Sequence, residues 1–217
     1  MKWIAANTSV MWHYLQVHVA LSLPALLLAV AVCLPLGWWA ARHPRWGRLV
    51  TEFTGLWYAI PALPLLVAIP LLFRVRLRDP LTLVIMLTIY AIALLLRSTA
   101  DAFGSVEPAQ LEAARATGHG RLATFLRVEL PLALPVALAG VRVAAMSTIG
   151  LTTIGALVGI PSLGSLFTDG FQRGIAGELW AGVILTLVLA GAVDLALIWL
   201  GRRLAPWRRA TTGRAGA

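Results

Sequence analysis

Residues 111–135, LEAARATGHGRLATFLRVELPLALP, gather small, acidic and basic side chains in a chain that is otherwise strongly apolar. Glu107-Pro108 favours a helix start, because proline suits the first helical position. Gly118 is typical of the left-handed residue that ends a helix, and a second helix is predicted from Arg121 to Glu129, ending before Pro131. A helix of about ten residues is marginal alone. Its smooth alanine surface therefore predicts docking into a groove of a partner protein.

An ion pair is predicted between two residues that lie in or beside apolar runs. Asp194 lies eight residues before Arg202, about 12 Å inside the end of its helix, where an unpaired carboxylate is costly. Arg142 stands at the start of another apolar run and at a similar depth, so we predict that it pairs with Asp194. In the alternative, Asp194 reaches a water-filled cytoplasmic vestibule.

The residue patterns of enzymes are missing from the sequence. Lys2 is the only lysine, so the usual phosphate-binding loop cannot be built. The histidines are scattered and share no metal-ligand spacing with Cys33. There is no serine in a nucleophile elbow and no evident carboxylate pair. We therefore predict no catalytic residue, no metal site and no cofactor bound by this chain.

The composition predicts an all-α integral membrane protein. Hydrophobic residues make up 59% of the chain and charged residues 12%, against about a quarter charged in soluble domains. The net charge of +9 lies between apolar runs, where it indicates the positive-inside bias of membrane proteins. A multi-pass protein of the cell membrane is expected, with no nucleic-acid partner.

About five transmembrane helices are predicted from the charge-free runs. The second run should be kinked by its prolines and packed against neighbouring helices. Residues 162–177 are glycine-rich and predict a re-entrant or surface loop. The runs are Val19–Ala41, Phe53–Phe73, Leu81–Leu96 with an extension to Ala100, Val143 to about Ile160, and about Leu179–Leu200.

Charge counts on alternating sides predict the orientation and the segments of the chain. With the N-terminus outside, 13 Lys and Arg residues lie inside and five outside, so the N-out/C-in arrangement is favoured. It puts residues 111–135 in the cytoplasm, between spans three and four. We divide the chain into an interfacial N-terminal segment at 1–17, a transmembrane domain at 18–204 and a basic cytoplasmic tail at 205–217. A disordered lead-in is the alternative for the first segment.

The cytoplasmic segment resembles a motif of the permeases of ATP-binding-cassette (ABC) importers. That motif is E-A-A, three residues, G, nine residues, I-x-L-P. In this chain it is matched in register, with valine at position 128 for the isoleucine. The resemblance implies the transmembrane domain of a type I importer, whose coupling helix sits in a cleft of a separate ATPase. The implied coupling residues are Glu112, Ala113, Ala114, Gly118, Leu130 and Pro131.

The resemblance extends over roughly residues 15–204 and is strongest to the osmoprotectant subgroup, which imports glycine betaine, carnitine, choline or proline betaine. It rests on VELPLALPVALAGVRVA, AIPALPLL and GALVGIPSLGSLFTDGFQRG. The subgroup usually has a glycine-rich turn before the leucine–glycine pair, whereas Ile160-Pro161-Ser162 stand here. Methionine or other amino-acid importer permeases are the nearest alternative. A self-sufficient secondary transporter or a membrane enzyme would need more intramembrane or interfacial polar residues.

The resemblance also implies the partners. They are a cytoplasmic ABC ATPase that carries ATP and Mg, an extracytoplasmic substrate-binding protein, a second permease copy or a similar permease, and the lipid bilayer. The polar residues of the fourth span have two interpretations. Gly155 and Gly159 have the spacing of close helix packing, whereas the hydroxyl groups suit a translocation path at a dimer interface. The candidate path residues are Ser147, Thr148, Thr152 and Thr153.

Overall fold

The computed structural model describes residues 2–206, and within that range the chain forms helices and short connections without a strand. The all-α prediction is confirmed. Short 3-10 helices lie at Trp57–Ala59 and Thr153–Val158, and a π-helical turn lies at Phe125–Glu129. The α-helices are α1 (Lys2–Ala6), α2 (Thr8–Arg42), α3 (Pro44–Leu56), α4 (Ala62–Phe73), α5 (Pro80–Gly104), α6 (Pro108–Ala116), α7 (Arg121–Thr124), α8 (Leu130–Thr152), α9 (Gly164–Gln172) and α10 (Ala176–Leu204).

Four helical stretches are long and apolar enough to cross a membrane, and a bent pair makes a fifth span, as the sequence predicted. The four are α2, α5, the stretch Arg121–Val158 that contains α8, and α10. The second span differs from a single kinked helix, because Pro44–Ala59 and Ala62–Phe73 meet at 108°. Ile60 is extended, as expected for a residue that precedes proline, and its carbonyl accepts a hydrogen bond from the Tyr90 hydroxyl.

The first span begins earlier than its charge-free run. Helix α2 starts at Thr8 and continues without a break past residue 17, so the predicted segment boundary is not a helix end. His18 is fully buried there. Its Nε2 lies 3.0 Å from the Ile149 carbonyl oxygen, and the Leu163 amide donates to its Nδ1 at 3.4 Å. The interfacial position of residues 1–17 stays a prediction, and most of the predicted tail at 205–217 lies outside the described residues.

Helix α5 lies at the centre of the helix bundle and packs against both α2 and α8. A stripe at helical spacing on α2, Ala25, Ala29 and Cys33, is fully buried. Gly37 allows close approach, because a Cβ there would lie 2.7 Å from the Thr99 Cβ. Small residues are the usual means by which membrane helices pack closely.

The glycine-rich segment at 162–177 is not a span, as predicted, but it is more regular than a surface loop. It forms the nine-residue helix α9, which packs against α10. A Cβ on Gly170 would lie 2.7 Å from the backbone nitrogen of Leu179, so glycine is needed for close contact between these helices. The fourth span ends near the predicted place, at Gly159, where φ is +86°. Gly155 packs against Leu83, so only one of the two glycines serves helix packing.

Candidate functional site

The segment after α5 has the predicted form of a short helix, a glycine corner and a second helix. Helix α6 ends at Ala116, and Gly118 has φ of +84° with open space around it. Ala114 is buried against the rest of the chain at 7% exposure. Glu112 and Ala113 are exposed. The exposed side of α6 therefore offers a small, nearly flat surface to a partner.

The second helix does not stop before Pro131, which corrects the expected end. Arg121–Val158 is continuous, with the π turn Phe125–Glu129 leading into α8. Within this turn the Leu130 amide donates to the Phe125 carbonyl, five residues back. Pro131 is tolerated because it occupies the first turn of α8, after the wider π turn. Leu130 packs beside Phe103, at the base of the segment.

A buried carboxylate joins this segment to the end of α2. The Glu129 side chain is only 6% exposed, and it accepts hydrogen bonds from Arg42 Nη2 at 2.5 Å and from Trp38 Nε1 at 2.6 Å. The Arg42 guanidinium also lies 4.1 Å from the centre of the Trp38 ring. Sequence reasoning missed this cluster. The signal available was a lone acidic residue in the otherwise basic and apolar stretch 121–142.

Arg142 and Asp194 lie face to face between α8 and α10. Arg142 Nε is 2.6 Å from Asp194 Oδ1, and Nη2 is 2.8 Å from Oδ2. This two-pronged geometry is the strongest form of an arginine–carboxylate contact. The Arg142 side chain is 40% exposed and the Asp194 side chain 27%.

The four predicted path residues separate into two groups. Thr148 and Thr152 are buried, and their hydroxyl groups donate to carbonyls four residues back in the same helix. Ser147 and Thr153 are half-buried. The Ser147 hydroxyl lies 3.5 Å from that of Tyr58, which is 46% exposed beside the break in the second span. Tyr58 was not predicted from the sequence.

Comparison with known proteins identifies relatives along nearly the whole chain. The chain is 34% identical to the choline transport system permease protein OpuBD of Bacillus subtilis, over 98% of this chain and 93% of that protein. It is 35% identical to the glycine betaine/carnitine/choline transport system permease protein OpuCD of the same organism, over 88% and 83%. The glycine betaine/proline betaine transport system permease protein ProW of Escherichia coli is 29% identical over 88% of this chain and 53% of that protein.

The fold is also that of a solved transporter chain. A chain of the MetNI methionine ABC transporter, in an inward-facing conformation, superposes with a TM-score of 0.82 over 92% of this chain and 98% of that one. The identity is 19%, so this likeness concerns the fold alone.

The family model of the binding-protein-dependent transport system inner membrane component matches residues 33–210. That range includes the α6 segment, the Arg142–Asp194 pair and all spans after the first. The chain is therefore a multi-pass membrane protein that belongs to the family of binding-protein-dependent transport system inner membrane components.

Proposed function

We propose that this chain is the permease subunit of an ATP-driven importer that translocates an osmoprotectant delivered by a binding protein. The substrate class is glycine betaine, choline, carnitine or proline betaine. The observation that carries the proposal is the 34% identity to a choline permease over 98% of this chain and 93% of that relative. A methionine importer permease is the second candidate, and it rests on the fold likeness at 19% identity.

The surface of α6 supports coupling to a separate ATPase. ATP and Mg belong to that subunit, and this chain supplies the helix that moves with it. Glu112 and Ala113 face outward for contact, whereas Ala114 anchors the helix to its own chain. Gly118 ends the helix, and Leu130 with Pro131 joins the segment to the fourth span. A closing ATPase would thus push on α6, which the glycine corner at residues 117–120 joins to the continuous stretch Arg121–Val158.

The other partners follow from the proposed orientation, N-out and C-in. The α6 segment then lies in the cytoplasm, and α9, at the other end of α8, faces the binding protein. A second copy or a similar permease completes the translocation path. Within this chain one side of α4 is uncovered, and its Leu71 is 83% exposed. The side of α8 that carries the half-buried Ser147 is also open.

The exposed side of α8 is the best candidate for the path. Ser147 and Thr153 contribute hydroxyl groups, Gly150 leaves space, and Tyr58 adds an aromatic ring. An aromatic face attracts a quaternary ammonium group, at a gain of about 0.5–2 kcal/mol. Thr148 and Thr152 are buried, so we assign them a structural role beside the path, whereas the Thr153 hydroxyl is exposed while it donates to the Gly150 carbonyl.

The test is reconstituted transport. The permease, its ATPase and its binding protein are placed in vesicles, and ATP-dependent uptake of radiolabelled glycine betaine, choline and methionine is measured. Uptake of betaine or choline without methionine is expected. Methionine uptake alone would refute the substrate class and keep the importer, and uptake that needs no ATP would refute both.

A further inference from the structure

A cavity of about 640 Å³ lies between the end of α2 and the glycine corner that follows α6. None of the roles assigned above uses it. We call it the basic cavity, because three arginines and a histidine contribute to its wall. The lining residues are Trp38, Arg42, Arg115, His119, Gly120, Arg121, Thr124 and Glu129.

The charge of the basic cavity is not balanced within the chain. Glu129 neutralises Arg42 at 2.5 Å. Among residues 2–206, no carboxylate lies within 4.0 Å of the guanidinium of Arg115 or Arg121. The cavity therefore carries an excess of two positive charges from arginines that lack an anionic partner in the described part of the chain.

The inner wall of the cavity is held rigidly. Trp38 packs edge-on against Phe125, with ring centres 5.2 Å apart, and Phe125 stacks on Phe103 at 5.9 Å. Glu129 fixes both the Trp38 indole and the Arg42 guanidinium by hydrogen bonds. The outer wall is formed by the two unpaired arginines. A ligand thus meets a preformed inner surface and two arginine side chains that are free to close on it.

The position of the cavity coincides with the edge of the apolar layer. Arg42 is the first charge after the 23 charge-free residues Val19–Ala41 of the first span. Basic pockets at this depth on the cytoplasmic side of membrane helices suit lipid head groups, and arginine forks match phosphate oxygens in two-pronged contacts.

We propose that the basic cavity binds a phosphate group, contacted by Arg115 and Arg121, at the base of the α6 segment. The source is either the head group of an anionic phospholipid or a soluble phosphate. In either case the bound group would bridge α6 and α7 across Gly118, and it would stiffen the corner through which the ATPase acts.

Binding is tested on the full-length chain in neutral detergent, without ATPase, ATP or osmoprotectant, so that the result does not depend on the transported substrate. Native mass spectrometry measures the affinity for phosphatidylglycerol and for diacylglycerol, which has no phosphate, and titration calorimetry measures inorganic phosphate. The variants are Arg115→Gln, Arg121→Gln and the double variant. Arg127→Gln is the matched control, because Arg127 is exposed in the same segment and does not line the cavity.

We expect phosphatidylglycerol to bind about tenfold more tightly than diacylglycerol, and each cavity variant to lose most of that preference. The control variant Arg127→Gln should retain the preference for phosphatidylglycerol. Phosphate binding with the same arginine dependence, but without a lipid preference, would support the site and identify a soluble source. Equal binding of both lipids without phosphate binding would overturn the proposal, as would an equal loss in Arg127→Gln. Unchanged thermal unfolding of the variants shows that a loss of binding is not a loss of folding.

Discussion

Arg142 and Asp194 show how a single residue pair can join two apolar helices. Two hydrogen bonds of 2.6 and 2.8 Å orient the guanidinium edge-on to the carboxylate. Both groups lie on helices that are long and apolar enough to span a membrane, and neither charge has another ionic partner within residues 2–206. The structure thus has the predicted contact between Arg142 and Asp194, and its contribution to stability is a prediction.

Asp194→Asn and Arg142→Gln are each expected to lower the thermal unfolding temperature in detergent, because each leaves one charge without its partner. The double change should cost less than the sum of the two single changes. Arg202→Gln is the control and should have a small effect, because Arg202 is exposed on the same helix as Asp194 and has no ion pair within residues 2–206. Additive losses at positions 142 and 194 would rule out an energetic role for the pair.

His18 is the other residue whose removal should destabilise the bundle, at the end where α9 lies. His18→Leu leaves the Ile149 carbonyl and the Leu163 amide without their side-chain partner, at a cost of about 1–3 kcal/mol. Thermal unfolding should detect the loss. His13→Leu, at an exposed position of the same helix, should leave the unfolding temperature almost unchanged, and equal shifts for the two variants would contradict the bridging role.

At the scale of elements, α6 and the π turn Phe125–Glu129 are the parts of the chain that would connect a partner to the fourth span. Helix α6 presents Ala113 outward, Gly118 sets the corner, and Glu129 ties the π turn to the end of α2. Because Arg121–Val158 is continuous, a force on α6 has only the glycine corner at residues 117–120 to cross before it reaches the fourth span. This continuity gives a physical route from an ATPase to the proposed path.

Ala113→Asp and Gly118→Val are expected to abolish ATP-dependent uptake while the chain still inserts and folds. The aspartate puts a charge into a dry contact, and valine resists the positive φ at a cost of about 1–2 kcal/mol. The matched controls are Ala113→Ser, which stays small, and Gly118→Asn, which tolerates the left-handed conformation. Normal uptake by either test variant, measured with equal membrane levels, would contradict docking at this surface.

At the scale of the whole molecule, the chain has the surface of one part of a larger membrane assembly. The most apolar window of α10 has none of its residues buried, and its Leu187 is 66% exposed. Such a surface is stable only against lipid or another subunit. The two ends of α8 carry α6 and α9, so the orientation of the chain decides which of them meets the ATPase.

The orientation can be tested by labelling from one side of the membrane. The only cysteine, Cys33, is fully buried, so the natural chain should stay unlabelled. In intact cells a membrane-impermeant maleimide should label Phe171→Cys and not Leu122→Cys, which are 79% and 71% exposed at opposite ends. Permeabilised cells should label both. The reverse pattern in intact cells would show that the orientation is wrong.

The sequence alone determined the class of fold, the number of spans and the α6 corner. These features depend on local properties: long charge-free runs, a proline that starts a helix and a glycine that ends one. The family resemblance was also visible in the sequence, because the motif from Glu112 to Pro131 is defined by residue types at fixed spacing.

Apart from Arg142 and Asp194, whose pairing two lone charges in or beside apolar runs predicted, only the tertiary structure decided how distant segments meet. It made a helix of residues 164–172, where glycines that suggested a loop allow close packing instead. In the structure the two helices of the second span meet at 108°, and the helix of the fourth span begins before Pro131, at Arg121. The tertiary structure also buried His18 and Glu129 on partners more than 80 residues away in the chain. Such contacts depend on which helix faces come together in three dimensions, and the pattern of one segment contains no information about the side chains that another segment brings to it.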